Sequence, residues 1–198
     1  LGYEGPVDRF HRWGLVDDRS LLIHAVHLSN EDYRLIDDLA PFVVTNPESN
    51  ANNRVGSMRR DRISSFLLGT DGMSSDMVQS LRSMYLLGKG NQESFQVLGD
   101  TFFRNPRKAL KAFFPSTGEL RPDYRADLAV LDYVPLTPIS LENLVAHLIF
   151  GARGGKMWMT LSDGSILWHE GRFLSIDEDA ILPELKRVSQ ALHRRFYE

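Results

Sequence analysis

Three short apolar runs, separated by helix-like stretches and each followed by polar residues, constrain this chain more than any other feature. They are Leu21-Leu22-Ile23-His24-Ala25-Val26-His27, Pro41-Phe42-Val43-Val44-Thr45 and Ser64-Ser65-Phe66-Leu67-Leu68-Gly69-Thr70. Continuous rather than alternating runs of this length are what strands buried on both faces look like. Between them the pattern turns helical. VDRFHRW, Val7 to Trp13, has helical spacing with Gly14 as a C-cap, Ser29 can cap a helix from Asn30 to Leu39, and a basic helix is expected around Met58 to Ile63. Strands alternating with helices predict parallel βαβ units whose crossovers are right-handed and lay helices over the sheet. The expected fold class is α/β.

The second half reads differently. A helical region runs from Ser75 to about Lys111, broken by Gly88, Gly90 and Pro106, and ends before the turn-rich Pro115-Ser116-Thr117-Gly118. Arg125 to Tyr133 (RADLAVLDY) reads as a strand, Pro135 to Ser140 as a linker and Leu141 to Phe150 as a short helix. KMWMTLSDGSILWHEG, Lys156 to Gly171, alternates large apolar residues about Asp163-Gly164, a pair that favours a two-residue hairpin turn. Glu178 to Tyr197 carries Leu182, Leu185, Val188, Leu192 and Phe196 at helical spacing.

Charge and cysteine content narrow the function classes. The 23 basic and 26 acidic residues nearly cancel and are scattered in both signs, so no basic face exists for a phosphate backbone and nucleic acid is not expected as a partner. No apolar run approaches the roughly 20 residues of a membrane span, and Leu1-Gly2-Tyr3-Glu4-Gly5-Pro6 does not read as a signal peptide; the expectation is no membrane and a cytoplasmic location. With no cysteine, thiolate ligands and thiol nucleophiles are excluded, so a metal would need His, Asp or Glu, and six histidines are present. The chain does not open on Met, and its first segment reads as a loop entering a helix, so a longer protein is expected.

His24, Asn46 and Asp71 stand at equivalent points, the C-terminal ends of the three predicted strands, which is the edge where parallel α/β proteins build their sites. Taken singly, Asp71-Gly72 reads as a turn capping a helix at Ser74-Ser75, and a lone His as a buried side chain bonded to a carbonyl. Their shared position argues otherwise. A doubly wound, flavodoxin-like sheet also explains three βα units, but it wants a Gly-rich phosphate loop after its first strand, and HAVHLSNED is not one.

HAVHLSNED (24–32), NPESN (46–50) and LGTDGMSSD (68–76) resemble, in order and spacing, strands six, seven and eight of the amidohydrolase superfamily. ADLAVLDY (126–133) resembles the strand by which that family leaves its barrel for a small β-sandwich, and with PLTPISLENLVAHLIFG (135–151) the chain looks most similar to aminohydrolases near the guanine deaminases and chlorohydrolases. The resemblance implies strands six to eight of a TIM-like (β/α)8 barrel over 1–120, a β-sandwich segment over 121–181 and a C-terminal helix over 182–198. It implies a hydrolase acting through a metal-activated water on a C–N bond, by deamination or amide cleavage, or on a C–Cl bond. The substrate would be a small heterocycle and the cofactor a divalent metal, zinc first.

Residue by residue, Asp71 matches the aspartate after strand eight that ligates the metal and shuttles the proton of the hydrolytic water. A carboxylate beside a divalent cation stays ionised and can accept that proton, so the role is chemically sound. His24 matches the strand-six histidine, which bonds the attacking water or substrate in mononuclear members and ligates the second metal in binuclear ones. Both are therefore catalytic and metal-binding candidates. Asn46 and His27 are the candidates for substrate contact, although Thr45 stands where relatives keep a histidine before the NPxSN loop, and His27 also reads as a buried histidine bonded to a backbone carbonyl. Ser49 and Asn50 are read as shaping that loop. His11, His147, His169 and His193 sit in no matching context. The family's His-x-His of strand one, its strand-five histidine and its HxxE glutamate would all precede Leu1. An N-terminal segment or another copy in a homo-oligomer would then complete the barrel. The alternative is a non-catalytic fragment or pseudo-enzyme that serves as a binding or oligomerisation module.

Overall fold

The three apolar runs form one parallel sheet. In the computed structural model, which describes residues 2–88, 94–152 and 156–197, β1 (Leu21–Ile23), β2 (Phe42–Thr45) and β3 (Leu67–Leu68) lie in the order β1-β2-β3. Leu21 faces Phe42 and Val44 faces Leu67, both in parallel register. The strands are shorter than the runs because the chain turns sharply at their ends. His24 still donates its N–H to the Val44 carbonyl (2.8 Å), but His24 and Ala25 have φ of 72° and 48° and swing the chain out of the sheet.

Helices occupy the crossovers. α1 (Pro6–Arg12) has its proline in the first turn, where no N–H is missed. α2 (Asn30–Leu39) opens on a reciprocal cap, with the Asp32 N–H donating to Ser29 Oγ and the Ser29 N–H to the Asp32 carboxylate. Fully buried, Asp32 also accepts the Asp8 N–H at 2.9 Å, which ties α1 to α2.

Two local expectations are corrected. Asn46 to Asn50 is not a loop: Pro47–Asn52 is a short helix, α3, because proline's fixed φ suits a first helical position. The helix expected around Met58 to Ile63 does not form, and that segment consists of turns and bends. Met58 and Ile63 are both buried, yet residues five apart point about 140° away from each other on a helix, so an irregular path buries both where a helix would bury one.

α4 (Met77–Gly88) follows the sheet; Gly90, expected as a break, lies outside the described residues. α5 (Phe95–Gly99) passes through a wide π-type turn, Asp100–Arg104, into α6 (Asn105–Phe113). Pro106 therefore does not break the helix; it sits in the first turn of α6, and the wide turn before it absorbs the lost hydrogen bond. Leu81, Met84 and Leu98 are completely buried. α7 (Leu144–Ala146) runs into a second π-type turn ending at Gly151, and His147 in that turn is held by Tyr133 Oη at 2.6 Å.

The chain divides into two units, 1–124 with 133–155, and 125–132 with 156–198. In the second, β4 (Leu128–Leu131), β5 (Met157–Ser162), β6 (Ser165–His169) and β7 (Arg172–Phe173) form an antiparallel sheet in that order. Its predicted hairpin turns on Asp163 and Gly164, whose φ of 50° and 78° are those of a two-residue type I′ turn. α8 (Glu178–Tyr197) is a twenty-residue helix with no buried residue. No described helix is long and apolar enough to cross a membrane. The fold is α/β.

Candidate functional site

His24 follows β1 directly, Asn46 follows β2 directly and Asp71 lies three residues beyond β3, so the three stand along the C-terminal edge of the sheet. His24 Nε2 is 3.7 Å from Asp71 Oδ2. Behind this pair, His24 Nδ1 lies 2.8 Å from Asn50 Oδ1 and 3.4 Å from Asn46 Nδ2. Ser49 Oγ donates to Asp71 Oδ2 at 2.5 Å, and the Gly72 N–H donates to Asp71 Oδ1 at 2.8 Å. The side chains of His24 and Asp71 are each 41% exposed, whereas Asn46, Ser49 and Asn50 are each 3% exposed as whole residues. An accessible pair thus rests on a buried polar layer.

The backbone is strained at the pair itself. His24, Ala25 and Asp71 all have positive φ, a region that costs a residue with a side chain and persists where the surroundings impose it. Gly69 supplies the complementary close approach: a Cβ there would collide with Asn46 Oδ1, so only glycine lets the Asn46 carboxamide lie against β3 and reach His24. The Ser49 hydroxyl, first, and the Gly72 N–H hold the Asp71 carboxyl below the usual carboxylate range, with His24 adding to the effect, so Asp71 is ionised at neutral pH.

Beside the pair opens a cavity of about 520 Å³, a size that suits a small organic molecule, lined by His24, Asn50 and Asp71 and by apolar Phe10, Ile23 and Val55. His27 lines the same cavity. It is exposed rather than buried and makes no hydrogen bond to His24, Asn46 or Asp71, which corrects the reading of a buried histidine bonded to a carbonyl. Asn46 does not line the cavity; it lies under His24.

Ser49 and Asn50 were the residues that sequence reasoning left out of the site. The signal was present in the spacing, since Asn46, Ser49 and Asn50 at i, i+3 and i+4 fall on one face if the segment is helical. Read as a loop, the segment lost that periodicity.

His24 and Asp71 are donors of the kind a divalent cation takes. Among the described residues, however, no group of three or more His, Asp or Glu side chains converges, and a catalytic zinc site uses three protein ligands. The pair fits as two ligands of such a site and does not complete one.

A parallel α/β sheet places histidine and aspartate together at its C-terminal edge, and the known proteins similar to this chain include deaminases. The chain is 28% identical over 198 residues to the 5-methylthioadenosine/S-adenosylhomocysteine deaminase of Pyrococcus abyssi, covering 95% of this chain and 47% of that protein. Among solved structures it matches a zinc-bound adenosine deaminase from Xanthomonas campestris with a TM-score of 0.76 at 21% identity, over 94% of this chain and 45% of the other. It matches E. coli guanine deaminase with a TM-score of 0.71 at 20% identity, over 85% and 43%. No family profile matches. The curated relatives are deaminases and the structural neighbours are deaminases and hydrolases of the amidohydrolase superfamily; this chain matches the C-terminal part of these proteins and spans about half their length.

Proposed function

We propose that this chain forms the C-terminal part of a metal-dependent aminohydrolase that removes an exocyclic amino group from a small heterocycle, with a purine of the adenine type first among substrates. The His24–Asp71 approach of 3.7 Å beside the cavity carries this reading. The names of the three relatives given above, each a deaminase, support the reaction type and the purine. In this reading β1, β2 and β3 are strands six to eight of a barrel, and the antiparallel sheet β4–β7 belongs to the adjoining sandwich. The substrate's ring enters the cavity against Phe10, Ile23 and Val55, with His27 at hand for a polar contact at the cavity wall.

Asp71 is the proton acceptor. Ionised at neutral pH, it takes a proton from water as the water oxygen bonds to the amino-bearing ring carbon, and it returns that proton to the nitrogen, so the C–N bond breaks and ammonia leaves. His24 orients the water from the other side, and Ser49 keeps the Asp71 carboxylate turned toward it. A divalent cation held in part by His24 and Asp71 supplies, when bound, the acidity that makes water a nucleophile near neutral pH.

The test is Asp71→Asn in the complete protein. It preserves shape while removing the charge and the proton acceptor, so kcat for adenosine-type substrates should fall about 10²- to 10⁴-fold while the fold is retained and the melting temperature drops only slightly. Undiminished turnover would make Asp71 a turn residue and return the chain to the alternative, a binding or oligomerisation module without catalysis.

A further inference from the structure

Asn50 lies on α3, 3% exposed, with Oδ1 2.8 Å from His24 Nδ1. Its Nδ2 is buried and, among the described residues, has no hydrogen-bond partner. A buried amide that leaves a donor unpaired is a poor choice for stability, since an apolar side chain of similar size would avoid the cost of desolvating it. The contact with His24 is what the amide gains in return.

That contact decides which nitrogen of His24 carries the proton. A carboxamide oxygen only accepts, so His24 Nδ1 must carry hydrogen, and the neutral ring then presents an unprotonated Nε2 toward Asp71 Oδ2, 3.7 Å away. Two lone-pair atoms facing each other across that gap need a hydrogen or a cation between them, which is the arrangement a shared water or metal ion requires. The opposite tautomer would turn Nε2–H toward Asp71 and close the pair upon itself. Asn46 Nδ2, at 3.4 Å from the same Nδ1, is too distant to compete with the contact at 2.8 Å.

We propose that Asn50 is a positioning residue of this site: by accepting the Nδ1 proton of His24 it fixes the tautomer that leaves Nε2 free to serve the water or cation shared with Asp71. The inference rests on the reading of His24 and Asp71 as the working pair. It goes beyond that reading in assigning the state of His24 to a residue, 3% exposed, that acts through His24.

The experiment uses the complete protein labelled with ¹⁵N-histidine and freed of metal, with the His24 signals assigned through His24→Gln. The wild type should show Nδ1 protonated and Nε2 bare. Asn50→Asp, which keeps an acceptor and loses the idle donor, should retain this pattern, whereas Asn50→Leu should mix the tautomers or reverse them. In the metal-loaded protein Asn50→Leu should lower kcat about ten- to a hundredfold with little change in KM and no loss of thermal stability. A wild type carrying the proton on Nε2, or Asn50→Leu with wild-type tautomer and kcat, overturns the proposal. If Asn50→Leu does not fold, Asn50→Asp decides: a carboxylate only accepts, so an Nδ1 proton present in the wild type and absent from Asn50→Asp means that this contact does not set the tautomer, and one gained only in Asn50→Asp means that Asn50 donates in the wild type. Retained activity in Asp71→Asn would instead discredit the working pair, while the ¹⁵N pattern would still report what Asn50 does to His24.

Discussion

One hydroxyl does most to lower the pKa of Asp71. The Ser49 Oγ–H and the Gly72 N–H both favour the charged carboxyl, so its folded-state pKa lies below that of an ordinary aspartate. A depressed carboxyl contributes stability above its unfolded pKa and loses it as pH falls through the folded one. The same sign governs function, because Asp71 stays a proton acceptor further into acid than an ordinary aspartate. Ser49→Ala should therefore move the acid limb of the kcat/KM profile to higher pH and leave the alkaline limb in place. An unmoved acid limb would show that Ser49 does not set the charge of Asp71. At this scale the sequence is legible where chain order alone does the placing: His24 and Asp71 end apolar runs, and parallel strands bring such ends to one edge. Ser49 and Asn50 depend on the helical phase of a six-residue segment that reads as a polar loop, and its proline is in fact what starts the helix.

α3 shows how an element this short is used. Its N-cap residue, Asn46, makes no side-chain capping bond, although asparagine is a favoured cap, because its carboxamide is turned toward His24. Gly69 on the far side makes that possible. Gly69→Ala would drive a Cβ into Asn46 Oδ1 and to 3.1 Å from Val44 Cγ1, both on β2 or at its end, where neither can retreat easily. The expected cost is about 1–3 kcal/mol in urea denaturation, with kcat lowered as His24 loses its support. Wild-type values of both would mean that the Asn46 carboxamide is free to move. Elements with strong local chemistry could be read directly, as with the cap at Ser29 and the Asp163-Gly164 turn. The irregular Met58–Ile63 path could not, since both of its apolar residues are buried although, five apart, they would not share one helix face.

At the scale of the whole molecule, a three-stranded parallel sheet is an unusual thing to leave open. Parallel strands are normally covered on both faces and continued at their edges, and about 250 residues are typical of a closed eight-stranded barrel. Among the described residues β1 has a neighbouring strand on one side only, and Leu21 and Ile23 are 50% and 57% exposed. On α8, Leu185, Leu192 and Phe196 are 59%, 54% and 77% exposed. Apolar surface and unpaired strand edges of this kind drive association. The relatives are about twice as long, which is consistent with further chain, or a further copy, against β1. Residues 1–198 produced alone should therefore self-associate in a concentration-dependent way. They should also bind zinc weakly, because His24 and Asp71 leave a cation mostly hydrated where a catalytic site supplies three protein ligands. Light scattering across a dilution series together with metal analysis after dialysis measures both. A monomeric protein that retains one zinc per chain would show that β1 needs no neighbour and that the ligand set is already complete, and either result would remove the reason for placing these residues within a larger barrel.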